Sequence, residues 1–324
     1  MKIKFALLAL AACNITCTAT LAQATETYPS RPVRLIVPYA SAGSADIVAR
    51  RIADEWAKAA GGNFYIENKA GAGGNIGVDA VAKATPDGYT IGLQTVSLAI
   101  NPSLFAKMPY DTLKDLAPIG MVATSQHVLV VNPAFPAKDT KELLAAVKAK
   151  PGGYNYGSAG PGSTFHMSAE LFKDVTGADI RHIPYKGGGP ALVDTMAGVV
   201  DMSFPVLSAV VPHVKAGKLR AIGVTGPTRS PLLPNVPTLQ ESGAPGYSFE
   251  TWFIVFAPAG TPQPIIEKLN TALNKAITSP QLKEKLVKDG FDPIPSTPAQ
   301  AQARLSQELA SWNKLIKACG ITAD

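Results

Sequence analysis

Apolar and helical runs alternate along most of this 324-residue chain. VRLIVPY (33–39) reads as a strand. Behind it Val48, Ile52 and Trp56 recur every four residues, with Ala45, Ala49 and Ala53 beside them, which predicts a helix over about 46–60 with one apolar stripe. FYIEN (64–68) predicts a strand, VDAVAKA (78–84) a helix and YTIGLQT (89–95) a third strand, entered through a Pro-Asp-Gly turn. HVLVVNP (127–133) is a strand, and a helix follows over 140–150 with Thr140 as its cap and Glu142 in its first turn. Residues 151–177 read strand, glycine loop, helix, and residues 180–198 repeat the order with Pro190 just inside the helix start. VDMSFPV (200–206) and LRAIGVTG (219–226) are further strands, and 231–246 is a proline-rich excursion. FETWFIVFAP (249–258) is a strand. A helix over 261–277 carries Ile266, Leu269, Leu273 and Ile277 on one face, and the last helix carries Leu305, Leu309, Trp312, Ile316 and Cys319.

Repeated strand-loop-helix units imply an α/β protein with mostly parallel sheets flanked by helices. One set runs from 33 to about 125 and a second from about 127 to 224. The remainder, with one strand and two long helices, is too small for a third domain and returns to the first. The expected organisation is lobe 1 from 25–126 and 225–324, and lobe 2 from 127–224. Two chain crossings, near 124–128 and 223–227, would form a hinge.

Residues 1–24 stand apart. MKIK is basic, FALLALAAC is apolar, and AQA at 22–24 is a small-x-small cleavage pattern, so the segment reads as a signal peptide cut after Ala24. LAAC at 10–13 also resembles a lipoprotein site with Cys13 as the acylated residue, but the apolar run before it is short. The expectation is a protein exported to the periplasm. Cleavage removes Cys13 and Cys17 and leaves Cys319, so no internal disulfide or cysteine metal cluster can form. Cys319 falls on an apolar stripe and is expected to be buried. Hydrophobic residues make up 46% of the chain, enough for a sizeable core. The mature chain keeps 28 basic against 24 acidic residues. The basic ones are scattered, which argues against nucleic acid, where clustered Lys and Arg neutralise phosphates.

Four loops share one design, small residues leading into a helix: PYASAGSAD (38–46), KAGAGGNIG (69–77), GSAGPGST (157–164) and YKGGGP (185–190). Two fall in each lobe. A helix start offers unpaired N–H groups and partial positive charge, so it holds an anion without a basic side chain. Candidate ligand contacts from the lobe 1 loops are Gly43, Asp46, Gly74 and Asn75, with Thr95 and Ser97 at the end of the third strand. Asp46 and Asp194 also read as acids that stabilise a first helical turn. Lys69 and Lys186 flank loops and read as solvated. Trp252 and Phe253 read as core, with packing against an aromatic acid the alternative if they reach the cleft.

Other chemistries fit poorly. Glycines 71, 73 and 77 are spaced G-x-G-x-x-x-G, one position too long for a dinucleotide loop. YGSAG at 156–160 lacks the first glycine of a nucleophile elbow. A hydrolase would have to rest on Ser163 and His166, and no histidine pair has metal-ligand spacing. No cofactor and no metal are expected.

YPSRPVRLIVPYASAGSADIVAR, ENKAGAGGNIG, TPDGYTIGLQT, DLAPIGMVA, YGSAGPGSTFHMSAELF, HIPYKGGGPALVDTMAG, VDMSF, LRAIGVTG and FAPAGTPQPIIEKLN together resemble, in order, the solute receptors of the tripartite tricarboxylate transporter family, the Bug receptors. The resemblance covers nearly the whole mature chain. It implies a type II periplasmic binding protein whose two α/β lobes hold a small carboxylate through amides, hydroxyls and ordered water. It also implies a monomer that serves membrane transporter subunits or a sensor protein, and no enzyme. Carried onto this chain, it places Tyr39, Ala40, Ser41 and Ala42 on the lobe 1 side of the cleft. Ser158, Gly160, Ser163, Thr164, Tyr185, Gly187, Gly188 and Asp201 would line the lobe 2 side. The chain departs from the family where G-G-P-T-D is replaced by Ala42-Gly43-Ser44-Ala45-Asp46, and where Phe204 is followed by Pro205.

Overall fold

The computed structural model describes residues 28–41 and 43–322. The expected signal peptide, Cys13 and Ala42 lie outside the described residues. In chain order the elements are β1 (Val33–Val37), α1 (Ser44–Ala60), β2 (Phe64–Asn68), α2 (Asn75–Ala82), β3 (Thr90–Thr95), α3 (Ser97–Leu104), β4 (Leu116–Gln126) and β5 (Val128–Val131). Then come α4 (Thr140–Ala149), β6 (Tyr154–Ser158), α5 (Thr164–Thr176), β7 (Ile180–Pro184), α6 (Gly188–Ala197), β8 (Met202–Ser203), α7 (Leu207–Lys215) and β9 (Arg220–Val224). The chain closes with α8 (Leu239–Ser242), β10 (Glu250–Pro258), α9 (Gln263–Ile277), α10 (Pro280–Lys288), β11 (Asp292–Pro293) and α11 (Pro298–Cys319).

Local chemistry explains most boundaries. On α1 the four-residue stripe is real: Val48, Ile52 and Trp56 are fully buried, worth roughly 1.5–3 kcal/mol each. Gly61 ends the helix in the left-handed conformation. A capping box of Thr297 and Gln300 starts α11, with Pro298 in its first turn. The cap of α4 is Asp139, one residue earlier than expected, and Thr140 instead hydrogen-bonds Ser242. Asp194 falls in the second turn of α6, past the first-turn position read from sequence.

The elements build two sheets, ordered β11-β4-β10-β3-β1-β2 and β7-β6-β8-β5-β9. Both are mixed. Parallel pairing is confined to β1 with β2 and β3, and to β6 with β7 and β8. β10 runs antiparallel to β3 and β4, and β5 antiparallel to β8 and β9. Strand-loop-helix repetition requires parallel neighbours only where a helix makes the connection. The strands that pass between sheets are free to run the other way.

β4, which the hydrophobic pattern did not reveal, is the longest strand. It lies between β10 and β11 and is buried on both faces, so it shows no alternation. Pro118 sits at an irregularity in its pairing with β10, the kind of position a sheet interior allows proline.

The chain passes between sheets at His127, which directly joins β4 to β5. The excursion 226–249, expected with lobe 1, packs on the second sheet instead. Leu239 covers Gly223 of β9, Ser242 meets Thr140 of α4 at 2.7 Å, and Tyr247 meets Ser168 of α5 at 2.8 Å. The return to the first sheet therefore falls at Phe249–Glu250, where β10 begins. One apolar core is shared by both sheets, running from Ile36 and Ile254 through Trp252 and Trp312 to Met202 and Phe204. Cys319, on the last turn of α11, is exposed although Ile316 and Ile321 beside it are in this core. Among the described residues no helix is long and apolar enough to cross a membrane.

Candidate functional site

Strand register assembles the first half of the site. Val37 ends β1 beside Asn68 at the end of β2, and Ile36 pairs with Gly92, which carries Tyr39 level with Thr95. The Tyr39 hydroxyl lies 3.1 Å from Thr95 Oγ1, and Thr95 Oγ1 donates to Ser97 Oγ at 3.2 Å. Burial raises the Tyr39 pKa, so the phenol stays neutral. Gly74, the residue before α2, closes over this cluster with φ +97° and ψ −9°. A Cβ there would stand 2.5 Å from Gln94 Nε2 and 3.5 Å from the Tyr39 ring, so only glycine fits. Gln94 is fully buried at the end of β3. Sequence reasoning passed over it because a glutamine inside a strand gives no local signal.

The second half uses the same plan. Ser158 ends β6 beside Pro184 at the end of β7, so the starts of α5 and α6 lie side by side. Tyr185 N–H donates to the Ser158 carbonyl at 3.1 Å, and Gly160 N–H donates to Ser158 Oγ at 3.0 Å. Ser158 Oγ is also 2.6 Å from His182 Nε2. Ser163 caps α5 by accepting from His166 N–H. Thr164 opens the helix half-buried, and Gly187 precedes α6 with φ +121°. Gly188 is half-buried in the first turn of α6.

Helices α1, α2 and α6 start after Gly43, Gly74 and Gly187, and none of the three has a side-chain cap. All three starts, with that of α5, stand beyond the carboxyl ends of parallel strands, the place where open α/β sheets bind ligands, but a 3-10 turn at Ala72–Gly74 leads into α2 and its first amides, Asn75 and Ile76 N–H, donate to the Ala72 and Gly71 carbonyls. The two halves meet where Gly162 touches Leu104 at the end of α3, with no room for a Cβ. Behind them the chain crossing is stitched together. His127 N–H donates to Thr225 Oγ1 at 2.7 Å, and Thr225 N–H and Oγ1 each donate to the His127 carbonyl at 3.0 Å. The buried His127 ring donates from Nδ1 to Phe204 O and accepts at Nε2 from Thr251, bridging the residue after β8 to β10.

Several expected contacts are engaged elsewhere. Asp46 is buried and bonds Arg50 and Asn68. Asn68 also donates to the Tyr39 carbonyl, so Asp46 holds the first loop's shape. Asn75 accepts from Asn101 at 2.8 Å and Tyr110 at 2.9 Å and turns its side chain into the scaffold. The Tyr185 hydroxyl donates to Asp194. Asp201 stands at the wrong end of its sheet. It exchanges hydrogen bonds with Asn155, three residues before Ser158 on β6, hence about 10 Å from the loops. Ala40, Ser41 and Gly43 are exposed, as are Lys69 and Lys186. Trp252 and Phe253 are core.

The Ser163–His166 pair does not form a nucleophile and base. His166 Nδ1 accepts from Gly162 N–H at 3.0 Å, and its Nε2 faces Glu170 Oε1 at 3.8 Å. Burial, then the neighbouring His182, hold the His166 pKa down to about 4.

Residues 48–321 match the family described as "Tripartite tricarboxylate transporter family receptor". The chain is 40% identical over 297 residues to Protein BugT of Bordetella pertussis, covering 91% of each. An R. palustris protein solved with adipate superposes with a TM-score of 0.81 at 36% identity, over 91% of this chain and 99% of that one. MatC from Rhodopseudomonas palustris, solved with bound malate, superposes with a TM-score of 0.76 at 32% identity, over 89% and 100%.

Proposed function

Because this chain belongs to the tripartite tricarboxylate transporter receptor family, we propose that it captures a small dicarboxylate between its lobes and, as a monomer in the periplasm, hands it to a membrane transporter. The observation that carries this reading is the set of helix starts. Two, α1 and α6, begin after glycines with no side-chain cap, and the loops also carry the hydroxyls of Tyr39, Thr95, Ser97 and Thr164. Such a surface takes a carboxylate oxygen by amide and hydroxyl donation and needs no guanidinium. The relatives solved with adipate and malate support a dicarboxylate.

Closure follows from topology. The loops sit on separate sheets joined by chain crossings at His127 and Phe249–Glu250, both bonded to Thr225, so a solute contacting both favours the closed arrangement by its differential affinity. The test is a thermal-shift screen of the mature protein against mono-, di- and tricarboxylates. A dicarboxylate at about 100 times its Kd adds about 2.7 kcal/mol of stability. No shift with any carboxylate overturns the reading.

A further inference from the structure

The Gln94 carboxamide is oriented without ambiguity. Its Oε1 accepts the Thr95 backbone N–H at 2.7 Å and lies 3.4 Å from Thr95 Oγ1, so this atom must be the oxygen. Nε2 therefore points the other way, under Gly74 and toward the Tyr39 ring. The side chain has no solvent exposure, and among the described residues no group accepts from Nε2 in good hydrogen-bond geometry; its polar neighbour is the Tyr39 hydroxyl. Native proteins rarely bury an amide donor unpaired, because stripping it of water costs about 1–3 kcal/mol. A loosely placed Tyr39 hydroxyl offsets only part of that cost. A leucine or methionine would fill the same volume at the end of β3 without it.

The surroundings suit an anion. The neighbouring groups are the neutral Tyr39 phenol, the Thr95 and Ser97 hydroxyls and the Gly74 backbone. None is a carboxylate. An acceptor arriving here would meet a neutral amide donor and hydroxyl donors together.

We propose that Gln94 is a specificity-determining residue of the cleft, whose Nε2–H group donates to a carboxylate of the solute directly or through one bridging water. The proposal rests on the carboxylate-receptor reading above and names a contact that reading does not require. It makes two opposed demands on one residue. Losing the donor should weaken the solute, yet should not harm the empty protein, since the empty protein bears the desolvation cost.

The experiment is isothermal titration of the wild-type mature protein, Gln94→Met and Gln94→Glu with L-malate, adipate and the panel of carboxylates above, with melting temperatures of the empty forms. Gln94→Met should raise Kd roughly ten- to hundred-fold for a solute the wild type binds, with an unchanged or higher melting temperature. Gln94→Glu places an anion against the solute and should weaken it at least as much at pH 7.5, with partial recovery at pH 5 as the new carboxyl protonates. Wild-type binding with both variants within about two-fold overturns the role of Gln94 and leaves the receptor reading intact. Wild-type failure to bind any carboxylate overturns both. If Gln94→Met does not fold, the near-isosteric Gln94→Glu and its pH response decide.

Discussion

The imidazoles of His166 and His182 lie face to face, 4.0 Å between centroids and 10° from parallel. Tyr156 extends the stack at 5.0 Å from His182. The pair supports the second-lobe loops from below, through Gly162 N–H on His166 and Ser158 Oγ on His182. Glu170 and Lys173 of α5 and the Tyr156 hydroxyl are the other titratable groups facing them. Burial lowers both histidine pKa values, and buried His127 is held down to about 4 for the same reason.

The sign of the pH dependence follows. The native protein holds these histidines neutral, while the unfolded chain protonates them near pH 6.5. Below that value the unfolded state binds more protons, so stability present above about pH 6.5 drains away as pH falls toward about 4. Unfolding by urea should show a loss on the order of 1–3 kcal/mol between pH 7 and 5. His166→Asn, which keeps an acceptor for Gly162 but does not titrate, should flatten the slope. A wild-type stability that is level over this range contradicts the assignment.

Asn75→Ala should be costly because its side chain is engaged in the scaffold. The change leaves Tyr110 and Asn101, both buried, without their shared acceptor. A loss of about 2–4 kcal/mol in urea unfolding is expected. A loss below about 0.5 kcal/mol would mean the network does not hold the start of α2.

Asp201 and Thr164 make a contrasting pair. Asp201→Ala removes the acceptor for Asn155 N–H and should cost about 1–2 kcal/mol of stability, leaving solute affinity within about two-fold. Thr164→Val removes a hydroxyl at the first turn of α5 and should weaken binding about five- to ten-fold with little change in melting temperature. Titration calorimetry on both variants separates the roles, and the reverse pattern would exchange them.

Thr225→Val tests the crossing. It removes the hydroxyl that accepts from His127 N–H and leaves a buried amide unpaired, for a loss of about 1–3 kcal/mol. If closure turns on this point, small-angle scattering with saturating solute should show a smaller compaction than in the wild type. Equal compaction would place the hinge elsewhere.

The chain's own pattern determined much of this molecule. The four-residue stripe of α1, the turn at Asp87–Gly88, the glycine loops before α1, α2, α5 and α6, and the α/β class all follow from periodicity and turn chemistry. These act over a few residues, so neighbouring sequence suffices to read them. The capping box of α11 is of the same kind.

Tertiary structure decided the rest. β4 shows no alternation because it is covered on both faces, and only its partners β10 and β11 make it a strand. The excursion 226–249 joined the second lobe because Leu239 and Tyr247 find their packing there, a contact no local rule encodes. Asn75, Asp46 and Asp201 sit in or near loops that look alike in sequence, yet each is turned into the scaffold by a partner between 4 and 46 positions away. Gln94 carries no sequence signal at all. Its interest comes from a register that sets Thr95 N–H on its oxygen and Gly74 over its nitrogen. Helix starts are written locally, but which side chain is left facing a solute depends on what reaches it through space.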